Sequence, residues 1–272
     1  MKLKPVVLHS LLFLVTACGA LDEGSGSNDN GPSANALSGL WIGTTEEQGV
    51  TEALDTLVVF IDEQVFILRE DEAHLGNYLT SDNGRATMEA DIYTYATPDT
   101  DNQFYVGNRS NSQFDMDALF ATSESLFINY EGNSRSGSMT LELDVARDDN
   151  LTLARVAGQW DTTDSVMYIN DEGGLQGSNS ATGCQWKGHL KTFKNDLLTL
   201  SIERKLCPDF NQTIGNPVDG YALIDGEGIL HFMAQQPNQF LWMQFESASG
   251  TTAPTDTPDE TEETTEEAAA AE

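Results

Sequence analysis

Positive charge is scarce in this sequence. Its 272 residues include 13 Lys and Arg against 44 Asp and Glu, which gives a formal net charge of −31 at pH 7. Nucleic-acid binding is excluded on this ground, because phosphate contacts depend on clustered Lys and Arg. Adhesion to an anionic membrane through basic side chains is excluded for the same reason.

The sequence motifs of catalysis are missing as well. After the N-terminal segment the histidines are His74, His189 and His231, which form no H-x-H or H-E-x-x-H spacing. The nucleophile elbow, the phosphate loop and the dinucleotide fingerprint are absent. We therefore expect no catalytic residue, no metal and no cofactor. The strand pattern around His231 predicts that it lies on an outer face, exposed or at a rim.

Carboxylate pairs are plentiful, but they match no known site. Asp115 and Asp117 are predicted to project from one face of a strand. The EF-hand loop needs a third oxygen ligand, a Gly turn and a distant Glu, which this segment lacks. We interpret these acids as solvated surface residues.

Long hydrophobic runs are absent too. Residues 6–15 are mostly apolar, follow Lys2 and Lys4, and are too short to span a bilayer. This pattern is typical of the h-region of a secretory signal. It ends in Val15-Thr16-Ala17-Cys18, which resembles the lipobox of bacterial lipoproteins.

The lipobox resemblance implies a lipid anchor. In that family the Cys carries the lipid and the signal is cut before it, so residues 1–17 are expected to be the signal peptide and Cys18 the lipidated first residue. Gly19 stands where an Asp favours retention in the inner membrane of enterobacteria, so the resemblance implies the outer membrane of a bacterial envelope. The alternative is an ordinary secretory signal with an incidental Cys.

Two segments lack the apolar residues of a folded core. Residues 18–36 are rich in Gly, Ser, Asn and Asp and are expected to form a flexible tether. Residues 251–272 contain acids, Thr, Pro and Ala but no base. We expect this acidic tail to be disordered and to act as a spacer.

The remaining sequence contains an internal repeat. The pattern apolar-x-Gly-x-Trp-x-x-Thr places Gly39 and Trp41 in one copy and Gly158 and Trp160 in the other. Each copy is followed by a similar order of apolar strands and acidic turns. The repeat predicts two β domains, residues 37–147 and 148–250.

Both halves have the pattern of antiparallel sheet. Short runs of Val, Ile, Phe, Tyr and Thr alternate with turn signals such as Asp171-Glu172-Gly173, and no long helical period occurs. The sequence predicts an all-β protein with two tandem antiparallel barrel or sandwich domains of about eight strands each. The Gly-x-Trp pairs resemble the opening of lipocalins, which implies a calycin-like barrel with each Trp at one barrel end.

Two cysteines remain once Cys18 is assigned to the lipid. Cys184 and Cys207 lie before and after a predicted hairpin, and an envelope compartment is oxidising. A structural disulfide is the preferred interpretation. A zinc site would need two more ligands, and a redox pair would be expected as C-x-x-C.

The segment from Phe240 to Phe245 is apolar on both faces of its predicted strand. Such a strand fits between a packed interior and a second packed surface. The sequence therefore predicts that the two halves contact each other there.

These observations favour a non-enzymatic envelope lipoprotein that binds a partner or supports the envelope. Its expected partners are the membrane, through the lipid, and an envelope protein or a small apolar ligand. A lipocalin-like carrier of a small apolar ligand is one alternative. A hydrolase of envelope glycan or lipid is a second.

Overall fold

A computed structural model describes residues 38–80, 85–95, 104–120, 122–132, 134–147, 150–194, 197–205 and 217–248. These residues form sixteen strands and a four-residue helix, which confirms the prediction of an all-β protein. The lipobox with Cys18, the tether 18–36, Cys207 and the acidic tail 251–272 lie outside the described residues.

The first eight strands form a closed antiparallel barrel. Each strand, from β1 to β8, pairs with the next along the chain. The barrel is closed by the pairing of β1 with β8. Their bounds are Gly39–Glu47 (β1), Leu54–Ile61 (β2), Gln64–Leu68 (β3), Glu72–Thr80 (β4), Arg85–Tyr95 (β5), Phe104–Phe120 (β6), Ser125–Gly132 (β7) and Arg135–Leu143 (β8).

Eight more strands follow the short helix α1, Leu153–Val156. They also pair in chain order, and β16 returns to β9 at two residue pairs, Asp161 with Glu246 and Trp160 with Ser247. Their bounds are Gly158–Asp161 (β9), Ser165–Ile169 (β10), Gly174–Asn179 (β11), Gln185–Lys194 (β12), Leu197–Lys205 (β13), Val218–Ile224 (β14), Leu230–Gln236 (β15) and Gln239–Ser247 (β16).

One strand pair joins the two sets of strands into a single sixteen-stranded sheet. Because β9 reaches only the last residues of β16, the residues from Gln239 to Met243 pair instead with Phe104 to Asn108 of β6. Val106 of β6 packs in the core of the second set. The first barrel therefore supplies part of the wall of the second set of strands.

Three apolar clusters follow from the alternation of side chains along the strands. One fills the interior of β1–β8 and includes Trp41, Phe60, Ile67, Phe114, Ile128 and Leu141. A second belongs to β9–β16 and includes Trp160, Met167, Leu200, Phe232, Met243 and Phe245. The third, here called the junction core, lies between the sets and includes Leu40, Phe66, Tyr93, Tyr105, Phe240 and Trp242.

The strand β16 contributes to two of these clusters, as its sequence predicted. Phe240 and Trp242 lie in the junction core, whereas Leu241, Met243 and Phe245 lie in the core of the second set. Contact between the two halves through this strand is confirmed. Each large side chain buried in this way contributes roughly 1.5–3 kcal/mol relative to exposure.

The repeated Gly and Trp occupy matching backbone settings. Gly39 and Gly158 have φ of 143° and 131°, in the region that favours glycine, at the start of β1 and β9. A Cβ on Gly39 would lie 2.7 Å from Nη1 of Arg147. Trp41 and Trp160 follow as buried side chains, so both are core aromatics.

Candidate functional site

The structure separates the residues that the sequence singled out. Trp41 lies in the interior of β1–β8 and Trp160 in the core of the second set, where its Nε1 donates to the Val156 carbonyl oxygen at 2.7 Å. Cys184 precedes β12, is buried and is disulfide-bonded. Because Cys207 lies outside the described residues, the predicted pairing of these two cysteines stays a prediction.

A group of interacting charged side chains, from fully buried to 28% exposed, lies at the end of the first barrel opposite Trp41. Its members, here called the ionic cluster, come from the end of β1, the turn after β3, the start of β4, and strands β7 and β8. Period-two alternation points their side chains inward. The cluster comprises Glu47, Arg69, Glu72, His74, Tyr130 and Arg135.

Arg135 bridges the two carboxylates of the cluster. Its Nε and Nη2 donate to Glu47 at 2.7 and 2.6 Å, and its Nη1 and Nη2 donate to Glu72 at 2.9 and 2.8 Å. Arg69 is fully buried and donates to Asp71 at 2.8 and 2.5 Å and to Glu72 at 3.2 Å. Forked contacts of this kind fix both the distance and the plane of the groups.

Ion pairs, hydrogen bonds and burial shift the pKa values of Glu47, Glu72 and Tyr130 in the cluster. The hydrogen bonds from Arg135 lower the pKa of Glu47. Burial alone raises the pKa of Glu72, but hydrogen bonds from His74 and Arg135 outweigh it and bring that pKa to about 2. Burial, helped by the charge of Glu47, raises the pKa of Tyr130 to about 12. Both carboxylates are therefore ionised at neutral pH.

His74 is held in one neutral form. Burial, with the two nearby arginines, lowers its pKa, and Nε2 donates to Oε1 of Glu72 at 2.8 Å. Its Nδ1 has no hydrogen-bond partner among the described residues. The ring packs edge-on against Phe114, 5.0 Å between centroids. Since the side chain of His74 is 0% exposed, it has no contact with solvent, and we interpret its place in the cluster as structural.

The prediction for His231 is wrong in one respect. It does lie on the outer face of its strand, opposite Leu230 and Phe232, but it is only 2% exposed because the junction core covers that face. Its Nε2 contacts Oδ2 of Asp225 at 2.8 Å, and Trp242 Nε1 donates to its Nδ1 at 3.3 Å. Burial alone raises the pKa of Asp225, but the hydrogen bond and charge of His231 and backbone hydrogen bonds outweigh it, so that pKa is lowered.

Glu47 and Tyr130 of the ionic cluster also line an open cavity of about 790 Å³ on the first barrel. A second accessible concave surface lies on the outer face of β9–β14, where Gln64 and Phe66 of β3 complete part of its lining. Two adjoining cavities there, of about 810 and 850 Å³, share His189 and Ser201 in their linings. We call this surface the outer groove. Each cavity has the size of a small-ligand site. Its other lining side chains include Gln159, Tyr168, Gln176, Lys187, Glu203 and Tyr221.

Sequence reasoning identified neither the ionic cluster nor the outer groove. The contributing residues are separated by many positions, and only the strand register brings them together. For the cluster, the one available signal was the presence of Arg69 and Arg135 among many acids in a base-poor sequence. For the groove, the signal was polar side chains at every second position of β12.

Two structural observations concern metals and membranes. Within the ranges the structure describes, no group of three or more His, Cys, Asp or Glu side chains is arranged to hold a metal ion. The same part of the chain contains no helix with the length and apolar character needed to cross a membrane.

The sequence matches no protein-family model and no curated protein, so no family assigns a role to these residues.

Proposed function

We propose that the protein is a lipid-anchored lipoprotein of the bacterial outer membrane that binds an envelope component without catalysing a reaction. The observation that carries this proposal is the contrast between its two polar regions. Arg69, Glu72, His74 and His231 are buried and bound to their own chain, whereas the outer groove is open to solvent. A ligand can therefore reach the side chains of the groove, whereas the buried groups are not available to act on one.

Lipidation of Cys18 would place the folded part close to the membrane. The tether of residues 18–36 is Gly/Ser/Asn-rich, and a flexible chain of that length has an end-to-end distance of roughly 25 Å. The strand β1 begins directly beyond it at Gly39. The protein would therefore be held near the bilayer and free to reorient.

We further propose that residues 37–147 and 148–250 are two tandem β domains of one repeated design. The matching strand registers support this. In the first barrel Trp41 pairs with Val58, and the preceding residue, Leu40, pairs with Val59. In the second set Trp160 pairs with Met167, and the preceding residue pairs with Tyr168. The second domain would be a barrel that borrows β6 for part of its wall.

The two alternatives have less support. A lipocalin-like carrier needs space inside a barrel, but the interior of β1–β8 is filled by the apolar cluster around Trp41 and Phe114. A hydrolase of glycan or lipid needs a carboxyl group that is protonated near neutral pH. Glu47 and Glu72 have lowered pKa values and are both bound to Arg135.

The anchor is tested by expressing the full chain in a bacterium and labelling with a clickable palmitate analogue. We expect label on the wild type and its recovery in the outer-membrane fraction, and loss of both in Cys18→Ala. Ser27→Ala is the matched control, since it makes a change of similar size in the tether and keeps both the lipobox and the disulfide. Equal labelling of Cys18→Ala and wild type would disprove the anchor.

The binding role is tested by crosslinking in intact cells, followed by purification and mass spectrometry of the wild type. A reproducible envelope component that is lost from Cys18→Ala supports the proposal. Hydrolysis of purified envelope glycan or lipid by the detergent-solubilised full chain would contradict it.

A further inference from the structure

Residues that pair with one another across neighbouring strands form a row on the outer face of each half. This row is apolar and buried in the first barrel but polar and exposed in the second set. In the first barrel the row starts before Trp41 and runs through Leu40, Val59, Phe66 and Leu75. All four side chains are buried in the junction core. The strands of the first barrel therefore use this outer face to pack against the second set.

The equivalent row of the second set is polar and open. It starts before Trp160 and runs through Gln159, Tyr168, Gln176 and Lys187. Each of these side chains is exposed, and Tyr168 is 47% exposed. This face therefore lacks the apolar residues that pack the first barrel against the second set, and it presents hydrogen-bonding side chains to solvent.

The outer groove has an aromatic side chain at each end. Tyr168 lies exposed on β10. Tyr221 lies half-buried on β14 at the edge of the junction core, with Phe66 edge-on at 5.9 Å and Phe193 at 5.8 Å between ring centroids. Four strand spacings separate β10 from β14, which is about 19 Å. A ligand that contacts both rings must therefore be extended.

The centre of the groove offers balanced charge and many hydrogen-bonding groups. Lys187 and Glu203 form an ion pair at 3.1 Å, and Lys191 and Asp219 add one charge of each sign nearby. Ser201, with His189 beside it, adds a hydroxyl that both donates and accepts. In a chain of net charge −31, this balance favours an uncharged ligand over a cationic one.

The groove floor offers no strand edge. The strands β10, β11, β12 and β13 each pair on both sides, so an extended peptide has no backbone partner in this surface. Recognition must come from aromatic faces and polar side chains. Sugars match this set, because a pyranose presents a C–H face to an aromatic ring and hydroxyl groups around its rim.

We propose that the outer groove binds an uncharged, linear oligosaccharide segment of an envelope glycan, with one sugar stacked on Tyr168 and another on Tyr221. Lys187, Gln176 and His189 hydrogen-bond to the hydroxyl groups between them. This inference rests on the proposed binding role and names the class of its partner. It adds a ligand chemistry that the anchor alone does not imply.

The test uses the detergent-solubilised full chain and titration calorimetry with cello-, malto- and chito-oligosaccharides. We expect binding of at least one series, with affinity rising with oligosaccharide length. Tyr168→Ala and Tyr221→Ala are each expected to weaken binding by about tenfold or more. Tyr168→Phe keeps the ring and is expected to bind within about threefold of the wild type.

Leu79→Ala is the matched control, because Leu79 is 72% exposed and belongs to the first barrel. It is expected to bind as the wild type does, and circular dichroism checks that every variant is folded. Absence of binding to all three series, or equal binding by Tyr168→Ala, overturns the proposal. Chemical modification of Tyr168 gives a further test. Protection of Tyr168 by a random peptide library, with no sugar present, also overturns the proposal.

The fate of the inference is separable from that of the anchor. Palmitate labelling of Cys18 reports the anchor alone, whereas the titration reports the groove alone. Labelled protein that binds no sugar overturns only the groove proposal. Protein that binds sugar but takes up no palmitate label supports the groove proposal. The missing label then overturns the anchor proposal alone.

Discussion

Trp242 stacks on Tyr105 across the junction of the two halves, with 4.7 Å between ring centroids and 22° between ring planes. Trp242 belongs to β16 and Tyr105 to β6, and their backbones pair directly. The ring of His231 also stacks on Trp242, with 6.2 Å between ring centroids and 11° between ring planes. A hydrogen-bonded ladder and a row of stacked rings therefore connect the two sets of strands at the same place.

We predict that Trp242→Ala destabilises the full chain by about 3–5 kcal/mol, because it removes a buried aromatic side chain and leaves a cavity in the junction core. Since β6 completes the wall of the second set, both halves should lose stability together. Urea unfolding followed by circular dichroism and by tryptophan fluorescence should give coincident transitions, shifted to lower urea.

The control for this variant is Tyr168→Ala, which truncates an aromatic side chain that is 47% exposed. It is expected to leave the urea midpoint nearly unchanged. Two separated transitions in the wild type, of which Trp242→Ala moves only one, would contradict the shared junction.

We predict that Arg69→Met destabilises the protein by about 3–5 kcal/mol. The variant leaves Glu47 and Glu72 in a buried site with Arg135 as their remaining arginine, and removing one member of a buried ion pair leaves uncompensated charge. The measurement is the free energy of unfolding from urea titration at pH 7.

Arg109→Met provides the comparison for Arg69. Arg109 also bonds a carboxylate, Asp91, at 2.6 Å, but it lies at the surface where water screens the pair. Its unfolding midpoint should match that of the wild type. Equal losses in the two variants would show that burial of the ionic cluster does not matter.

The amount of structure that the sequence predicted depends on how local each signal is. Alternation and turn residues are local, so the strand predicted from Phe240 to Phe245 lies within a few residues of the bounds of β16, Gln239–Ser247. The length of β6 was not predicted. Its middle, from Asn108 to Gln113, is polar and crosses from the junction to the first barrel, and a strand was predicted only around Asp115 and Asp117.

The candidate sites depend on long-range register, which single-sequence patterns do not contain. Glu47 and Arg135 are 88 positions apart and meet only because β1 pairs with β8. His231 was placed on the correct face, but its burial depends on contact with another part of the chain. Local patterns therefore predicted the strands and which side chains share a face. The residues that contact each face depend on the tertiary structure and were not predicted.

We predict that acid destabilises the protein in two steps. His74 has a pKa below its ordinary value of 6.5, so the unfolded chain takes up a proton there first and stability falls as pH drops below 6.5. Glu72 has a pKa of about 2 instead of 4.5, so its contribution is present above pH 4.5 and is lost as pH falls toward 2. The second step is on the order of 3 kcal/mol.

Urea midpoints measured from pH 7 to pH 2.5 test this prediction. Glu72→Gln should be less stable than the wild type at pH 7 and should lose less stability below pH 4.5, since it has no proton to take up at that position. Wild-type and Glu72→Gln curves that run parallel down to pH 2.5 would rule out Glu72 as the source of the acid sensitivity.

We predict that the disulfide partner of Cys184 is Cys207. The two residues are 23 positions apart in the sequence and flank the hairpin of β12 and β13, while the remaining cysteine, Cys18, is the one we propose to carry the lipid. In the loop-entropy model a bridge of this span stabilises the folded state by about 3 kcal/mol. Peptide mapping of the unreduced protein should recover one linked pair that contains both residues, and reduction should lower the urea midpoint. The Cys18→Ala variant should give the same linked pair and the same shift, whereas a Cys18–Cys184 peptide in the wild type would contradict both the pairing and the lipid anchor.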